Sequence, residues 1–130
     1  MKFTLDEGTG TYAIRSYAAG QVVINETILT RSFVVLPERL VSDWPPQSFD
    51  ELRPEHFEAV VALKPEVVVL GCGDRLRFPS RHVIGPLTQR HIGLEVMDTG
   101  AACRTYNVLM SEGRLVAAAL LIMNTARGHV

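Results

Sequence analysis

Three short apolar runs in the second half of the chain constrain its fold most strongly. They cover residues 67–70 (VVVL), 94–97 (LEVM) and 115–122 (LVAAALLI), and we interpret each as a buried strand. Segments with helical periodicity separate them, one between residues 80 and 91 and one from about residue 101 to residue 111. Alternating strands and helices of this kind are typical of an α/β layer. We therefore predict that the three runs share one sheet and that ligands bind where its strands end.

The first half of the chain is rich in β-branched and aromatic residues and predicts an antiparallel meander. Its strands are expected over residues 11–18, 21–24 and 27–36, with turns at residues 19–20 and 25–26. The apolar side chains of these strands are core candidates, namely Val22, Ile24, Ile28, Phe33 and Val35.

A proline-containing connection joins the two halves. We expect residues 37–52 to form a loop that Trp44 anchors on the domain, because two adjacent prolines exclude regular structure at its centre. A helix should begin at Pro54 and end near residue 63. Gly113 follows the last helix at a position that favours a positive φ. The chain is expected to form one domain over residues 1–130, in which residues 1–10 are a flexible arm and residues 124–130 a polar tail.

Composition argues against several classes of protein. Thirteen Lys and Arg residues balance 14 Asp and Glu residues, so we predict neither nucleic-acid binding nor recruitment to an anionic membrane. The longest apolar run is far shorter than the ~20 residues of a membrane-spanning helix, so direct membrane insertion is not expected. Asp6 and Glu7 disfavour a secretory signal, and a cytoplasmic location is the resulting expectation. The two cysteines and four histidines have no metal-ligand spacing, and no cofactor loop is present.

The chain resembles the Mth938-type domain family in segments spread over nearly its whole length. They are residues 30–37, 44–45, 67–78, 95–99, 102–109 and 112–114. The family includes bacterial and archaeal proteins of unknown activity and a mitochondrial assembly factor of respiratory complex I. The resemblance implies a single three-layer α/β domain with a mixed central sheet, an N-terminal β-meander and flanking helices. The chain departs from the family pattern at Gly85 and Pro86, where the start of the middle helix is not fixed by the sequence.

A candidate ligand pocket lies where two of the predicted strands end. The sequence Gly71-Cys72-Gly73-Asp74 follows one run, and Asp98-Thr99 follows another. If the strands are parallel neighbours, these segments flank one crevice, in which the N-terminus of the last helix and nearby arginines would bind an anion. Its residues would be Gly71, Gly73, Asp74, Arg75, Asp98, Thr99 and Arg104. The structural alternative is a tight glycine turn beside a helix that Asp98 and Thr99 cap, with a nearby arginine paired to them.

The two cysteines are candidate reactive thiols. Cys103 lies in the opening turn of the last helix, where the helix dipole lowers the pKa of a thiol. It also shares an apolar stripe with Tyr106 and Met110, which favours a buried, structural cysteine. Cys72 lies in a loop and is expected to be more accessible and to react faster. We assign no catalytic role to either cysteine, because no sequence motif places a histidine beside its thiol.

Two hypotheses about function follow. The family resemblance implies a non-enzymatic interaction or assembly module with an unidentified protein partner, and a homo-oligomer is compatible with it. The alternative is a small-molecule or anion-binding domain, with or without catalysis, at the crevice between residues 71–74 and 98–103. Six arginines, scattered in the sequence, would form a basic patch if the fold brings them together, although ordinary solvation is the favoured explanation. They are Arg31, Arg39, Arg53, Arg75, Arg77 and Arg81.

Overall fold

The computed structural model describes residues 11–122, so the expected flexible arm and the whole of the expected polar tail lie outside the described residues. This part of the chain forms two β-sheets and three α-helices. In chain order the elements are β1 (Ile14–Ala18), β2 (Gln21–Ile24), β3 (Thr27–Leu29), β4 (Phe33–Leu36), β5 (Arg39–Val41), a 3-10 turn (Phe49–Glu51), α1 (Pro54–Val61), β6 (Val67–Gly71), α2 (Gly85–Gln89), β7 (Gly93–Met97), α3 (Thr99–Ser111) and β8 (Val116–Leu120).

A mixed five-stranded sheet forms the centre of the domain, with strand order β5-β4-β8-β6-β7. β6 lies parallel to both β7 and β8, and Val68 pairs with Leu94 on one side and Ala117 on the other. β4 runs antiparallel to β8 and to β5. The prediction that the three apolar runs share one sheet is therefore confirmed.

Alternation along the central strands divides the core between the two faces of this sheet. On β6, Val67 and Val69 pack with the three-stranded sheet and α3, whereas Val68 and Leu70 pack with α1 and α2. All five residues of β8 are buried, and its three central residues are alanines. Helices α1 and α2 cover one face of the sheet, and α3 together with the three-stranded sheet covers the other. The expected three-layer α/β fold is confirmed.

The N-terminal meander is a separate three-stranded antiparallel sheet, β1-β2-β3. Its turns are as predicted, with positive φ angles of 85° at Gly20 and 51° at Asn25. Helix α3 holds this sheet through side chains. The Asn107 amide accepts a hydrogen bond from the Ile14 backbone N–H (2.9 Å) and donates one to the Ile14 carbonyl (2.6 Å). The Tyr106 hydroxyl donates to the Tyr12 carbonyl over 2.7 Å.

Several sequence-based expectations about the strands are wrong. The segment 27–36 is two strands in different sheets, because the chain leaves the small sheet after Leu29 and enters the large one at Phe33. Ile28 is not a core residue but is 60% exposed, since β3 is an edge of the small sheet. The connection 37–52 contains β5, which the sequence analysis missed. β7 is an edge strand with exposed positions and is not fully buried.

The helices follow the expectations with shifted ends. Pro54 begins α1, which ends at Val61, two residues earlier than expected. Trp44 is buried as predicted, where its indole N–H donates to the His56 carbonyl (3.2 Å) and its ring meets Phe57 edge-on. Helix α2 begins at Gly85, so Pro86 lies in its first turn and does not kink it. Gly113 follows α3 with a φ of 82°, as predicted.

Candidate functional site

The predicted crevice between residues 71–74 and 98–103 is closed by direct hydrogen bonds. The Thr99 N–H donates to the Gly73 carbonyl (2.8 Å), and the Gly73 N–H donates to Thr99 Oγ1 (2.9 Å). Thr99 Oγ1 in turn donates to the Leu121 carbonyl (2.6 Å), which joins β6, α3 and the end of β8. We call these three residues, Gly73, Thr99 and Leu121, the Thr99 clasp. The adjacency that the parallel strands predicted is present, but the two segments bond to each other and leave no ligand space between them.

Gly71 shows how tightly this contact is packed. A Cβ atom added to Gly71 would lie 2.8 Å from Leu120 Cδ2 and 3.0 Å from both Cα and Oγ1 of Thr99. Both distances are shorter than carbon atoms tolerate without displacement of a neighbour. Close approach of the elements therefore explains glycine at this position without any bound ligand.

The N-cap of α3 is Asp98 and not Thr99, so the expected capping role of Thr99 is wrong. Asp98 Oδ1 accepts a hydrogen bond from the Ala101 N–H over 2.8 Å, and Asp98 has the extended backbone of a cap residue. Thr99 is the first residue of the helix and is completely buried. Its hydroxyl cannot reach the helix amides because it is already engaged with two other segments of the chain.

A cleft of about 660 Å³ lies beside the loop that follows β6. One wall is that loop, and the other walls come from the end of β3 and the segment around the 3-10 turn. Its lining residues are Thr30, Arg31, Gln47, Ser48, Phe49, Asp50, Cys72, Gly73, Asp74, Arg75, Arg77, Leu121 and Ile122. Of the predicted pocket residues, Gly73, Asp74 and Arg75 line this cleft, together with the candidate thiol Cys72. Gly71, Asp98, Thr99 and Arg104 do not.

Three arginines line the cleft, Arg75 and Arg77 from the loop after β6 and Arg31 from the segment after β3. Arg77 pairs with Asp50 across 3.2 Å, and its guanidinium lies 4.2 Å from the centroid of the Phe49 ring. Arg31 and Arg75 bring two further positive charges. Asp50 and Gln47 were not predicted as site residues, since they lie in the segment 37–52 that was expected to be a connecting loop. Arg31 was noted only as one of six scattered arginines.

Both thiols are buried. Cys103 lies in the core as predicted, and burial raises its pKa to about 12. Cys72 is buried as well, contrary to the expected accessibility, and burial also raises the pKa of its thiol. Its Sγ donates to the Met97 carbonyl (2.9 Å) and accepts from the Arg77 N–H (3.5 Å). Neither thiol is thereby activated as a nucleophile. The expected order of reactivity, Cys72 before Cys103, stays a prediction.

Two further classes of feature are absent from residues 11–122. No group of three or more His, Cys, Asp and Glu side chains in this range is arranged to hold a metal ion. No helix within the same residues has the length and apolar character needed to cross a membrane.

The loop between β6 and α2 also presents apolar side chains to solvent. Leu76 is 52% exposed and Phe78 is 71% exposed. Arginines flank them at positions 75, 77 and 81, and we call residues 74–82 the arginine loop. Exposed aromatic and aliphatic residues next to arginine are the combination that is enriched at protein–protein contacts.

Comparison with known proteins places this fold in a family. Residues 14–121 match a family described as "Protein of unknown function (DUF498/DUF598)". The chain is 37% identical over 110 residues to bovine NADH dehydrogenase (ubiquinone) 1 alpha subcomplex assembly factor 3, and 36% identical over 110 residues to the human protein of that name. Each alignment covers 83% of this chain and 59% of the relative. The chain thus spans about three fifths of the length of these relatives.

Solved structures of similar proteins agree. A Xanthomonas campestris protein is 47% identical with a TM-score of 0.79, and the match covers 88% of this chain and 86% of that one. A Bordetella parapertussis protein is 33% identical with a TM-score of 0.82, covering 87% and 97%. A Bordetella pertussis protein described as a Mth938-like domain is 29% identical with a TM-score of 0.78, covering 93% and 92%. The resemblance to the Mth938-type family is confirmed, and the chain belongs to the DUF498/DUF598 family.

Proposed function

We propose that this protein is a non-enzymatic, protein-binding module that acts in the assembly of a larger protein complex. The observation that carries the proposal is the exposure of Leu76 and Phe78 on the arginine loop. Membership of a family whose relatives are named as assembly factors of NADH dehydrogenase supports it. The complex proposed here is accordingly the respiratory NADH dehydrogenase.

The arginine loop is suited to this role because its base is held firmly. Cys72 Sγ bonds to backbone atoms of Met97 and Arg77, and Gly73 belongs to the Thr99 clasp. A loop whose base is fixed loses little conformational entropy when its apolar tips are covered by a partner. Covering the exposed parts of Leu76 and Phe78 contributes about 1 kcal/mol each, roughly half of what full burial of such side chains gives.

The proposal is tested by genetic complementation. Cells that lack this protein should accumulate less assembled NADH dehydrogenase, measured by native gel electrophoresis and by NADH–quinone reductase activity of membranes. The wild-type chain should restore the complex, whereas the double variant Leu76→Asp/Phe78→Asp should not. Val108→Asp is the matched control, because Val108 is 54% exposed and belongs to α3 and not to the arginine loop. Both variants should keep the wild-type circular dichroism spectrum.

Two results would contradict the proposal. One is a normal amount of assembled complex in cells without the protein. The other is full restoration by the double variant. A cytoplasmic location stays a prediction, checked by cell fractionation, and a homo-oligomer is checked by light scattering of the purified protein.

A further inference from the structure

We propose that the cleft beside the arginine loop binds a small organic carboxylate. Its carboxylate group would lie between Arg31 and Arg75, and its apolar body would lie against the floor of the cleft. This site differs from the closed crevice, and it stands independently of the assembly role.

Several polar groups of the residues that line the cleft have no partners in the described part of the chain. Within residues 11–122, the structure shows no hydrogen bond or ion pair for the guanidinium groups of Arg31 and Arg75 or for the Asp74 carboxylate. The backbone N–H groups of Asp74 and Arg75 are also without acceptors in that range. The residues that line this cleft therefore carry two guanidinium groups and two backbone amides without partners in the described part of the chain, and charged donors form the stronger hydrogen bonds to a carboxylate.

The charged side chains that line the cleft do not balance one another. Asp50 neutralises Arg77 through their 3.2 Å contact. The remaining charged side chains are Arg31, Arg75 and Asp74, which leave one positive charge in excess. A monocarboxylate matches this excess, whereas a phosphate dianion would bring a second negative charge close to Asp74. Repulsion between like charges in one cleft reduces affinity.

The cleft also offers apolar surface and room for more than a carboxylate group. Its floor, as we use the word, is formed by Leu121, Ile122 and Cys72, and Phe49 lies on one wall. A volume of about 660 Å³ is far more than a bare carboxylate fills and is in the range of small-molecule sites. An anion that carries an apolar chain uses both the donors and the floor.

The test is a titration of the full chain with three probes, followed by amide chemical shifts in two-dimensional NMR. Hexanoate carries both the charge and the apolar body, acetate carries the charge alone, and hexan-1-ol carries the apolar body alone. Hexanoate should bind saturably, with a dissociation constant on the order of millimolar, and should shift the amides of Asp74 and Arg75. Acetate and hexan-1-ol should each bind at least about tenfold more weakly, because each loses one of the two contributions.

Variants assign the site. Arg31→Ala and Arg75→Ala should each weaken hexanoate binding about tenfold. Asp74→Asn should strengthen it about threefold, since it removes a repulsive charge and keeps the shape. Arg104→Ala is the matched control and should bind as the wild type does, because Arg104 is exposed on α3 and does not line the cleft.

The inference is overturned by the absence of saturable hexanoate binding, by equal binding of hexanoate and hexan-1-ol, or by wild-type affinity in both Arg31→Ala and Arg75→Ala. A loss of affinity in Arg104→Ala as large as in Arg75→Ala would also overturn it, because the effect would then be one of overall charge. None of these outcomes bears on the assembly role, which is tested through Leu76 and Phe78.

Discussion

The two sides of the loop after β6 differ sharply, although they are one residue apart. On the inner side, Gly73 bonds to Thr99 through both its N–H and its carbonyl, and the Thr99 hydroxyl continues to Leu121. On the outer side, Asp74 and Arg75 have no hydrogen bonds within the described residues. Polar groups that already bond to one another have no free hydrogen-bonding capacity for a ligand. Polar groups without partners at an open cleft can still bond to one.

This difference shows why strand ends alone are a poor guide to a binding site. The carboxyl ends of β6 and β7 meet as the parallel arrangement requires. The glycine and threonine at that point join the elements to each other, and the charged residues that follow turn outward. The predicted pocket was therefore divided: Gly73 and Thr99 bond to each other, Asp74 and Arg75 line the cleft, and Arg104 does neither.

Removing the Thr99 hydroxyl should have the largest effect on the inner side. Thr99→Val keeps the shape of the side chain but leaves the Gly73 N–H and the Leu121 carbonyl buried without partners. We expect the free energy of unfolding to fall by about 3 kcal/mol, as two such groups each cost 1–3 kcal/mol. Urea denaturation measures this loss. Thr99→Ser keeps the hydroxyl and should lose much less; equal losses in the two variants would refute the hydrogen-bond explanation.

Filling the glycine contact should have the next largest effect. Gly71→Ala places a methyl group 2.8 Å from Leu120 Cδ2, and we expect a loss of about 2 kcal/mol in the free energy of unfolding. Gly85→Ala is the control, because a Cβ atom there meets no other atom within 4 Å. Denaturation of the two variants in parallel decides the point, and a Gly71→Ala protein as stable as Gly85→Ala would disprove close packing at the clasp.

The helix cap at the edge of the clasp should matter less. Asp98→Ala removes the acceptor for the Ala101 N–H and should cost about 1 kcal/mol of stability. Asp98→Asn keeps an oxygen in the same place and should be nearly neutral. Thermal unfolding of both variants measures the difference. If Asp98→Ala unfolds at the wild-type temperature, the cap contributes nothing.

Alkaline pH should destabilise the core behind α3 by a similar amount. The Cys103 thiol has a pKa of about 12 in the folded chain, raised by burial from an ordinary value of 9.0. Between these values the unfolded chain has lost its proton and the folded chain has not, so stability falls as pH rises. We expect roughly 1 kcal/mol of loss between pH 9 and pH 10.

Burial also raises the pKa of Tyr106, which adds to this loss in the same direction. Urea denaturation at both pH values measures it, and the Cys103→Ala variant should show a smaller loss. An unchanged pH dependence in that variant would assign the effect to another group.

In the native state both thiols should react slowly with Ellman's reagent, with Cys72 ahead of Cys103; rapid reaction of Cys103 would contradict its burial.

The outer side of the loop should contribute least to stability. Arg75→Ala removes an exposed side chain with no partner in the described part of the chain, so we expect less than about 0.5 kcal/mol of change in either direction. The same denaturation assay checks this. A large loss would mean that Arg75 is structural, and the contrast between the two sides would then fail.

Hydrophobic pattern alone predicted most of the central fold. The runs at residues 67–70, 94–97 and 115–122 were placed correctly in one sheet, because unbroken apolar runs and helical stretches alternate in a way few folds allow. Edge positions were not predictable in the same way. Whether residues 94–97 lie inside a sheet or at its edge depends on which strands pair, and Ile28 looks like any core isoleucine until its neighbours in space are known.

The candidate site was predictable only in part, for a similar physical reason. Gly73, Asp74 and Arg75 follow a strand and could be selected from local sequence. Arg31 and Asp50 reach the cleft through pairing of β4 with β8 and through the course of the connection, which no local pattern records. The Thr99 hydroxyl was assigned to its own helix because capping is the commoner local use of that residue type.

The pair of hydrogen bonds between the Asn107 side chain and the Ile14 backbone has a consequence for motion on slow timescales. Because Asn107 occupies both backbone groups of Ile14, much as a neighbouring strand does, the small sheet depends on α3 for its attachment. We therefore expect the small sheet to be a cooperative unit that opens before the five-stranded sheet does. In native-state hydrogen exchange, the amides of β2 should exchange earlier than those of β6 and β8. Asn107→Ala should lower protection in β1–β3 selectively, and leave the central amides as slow as before.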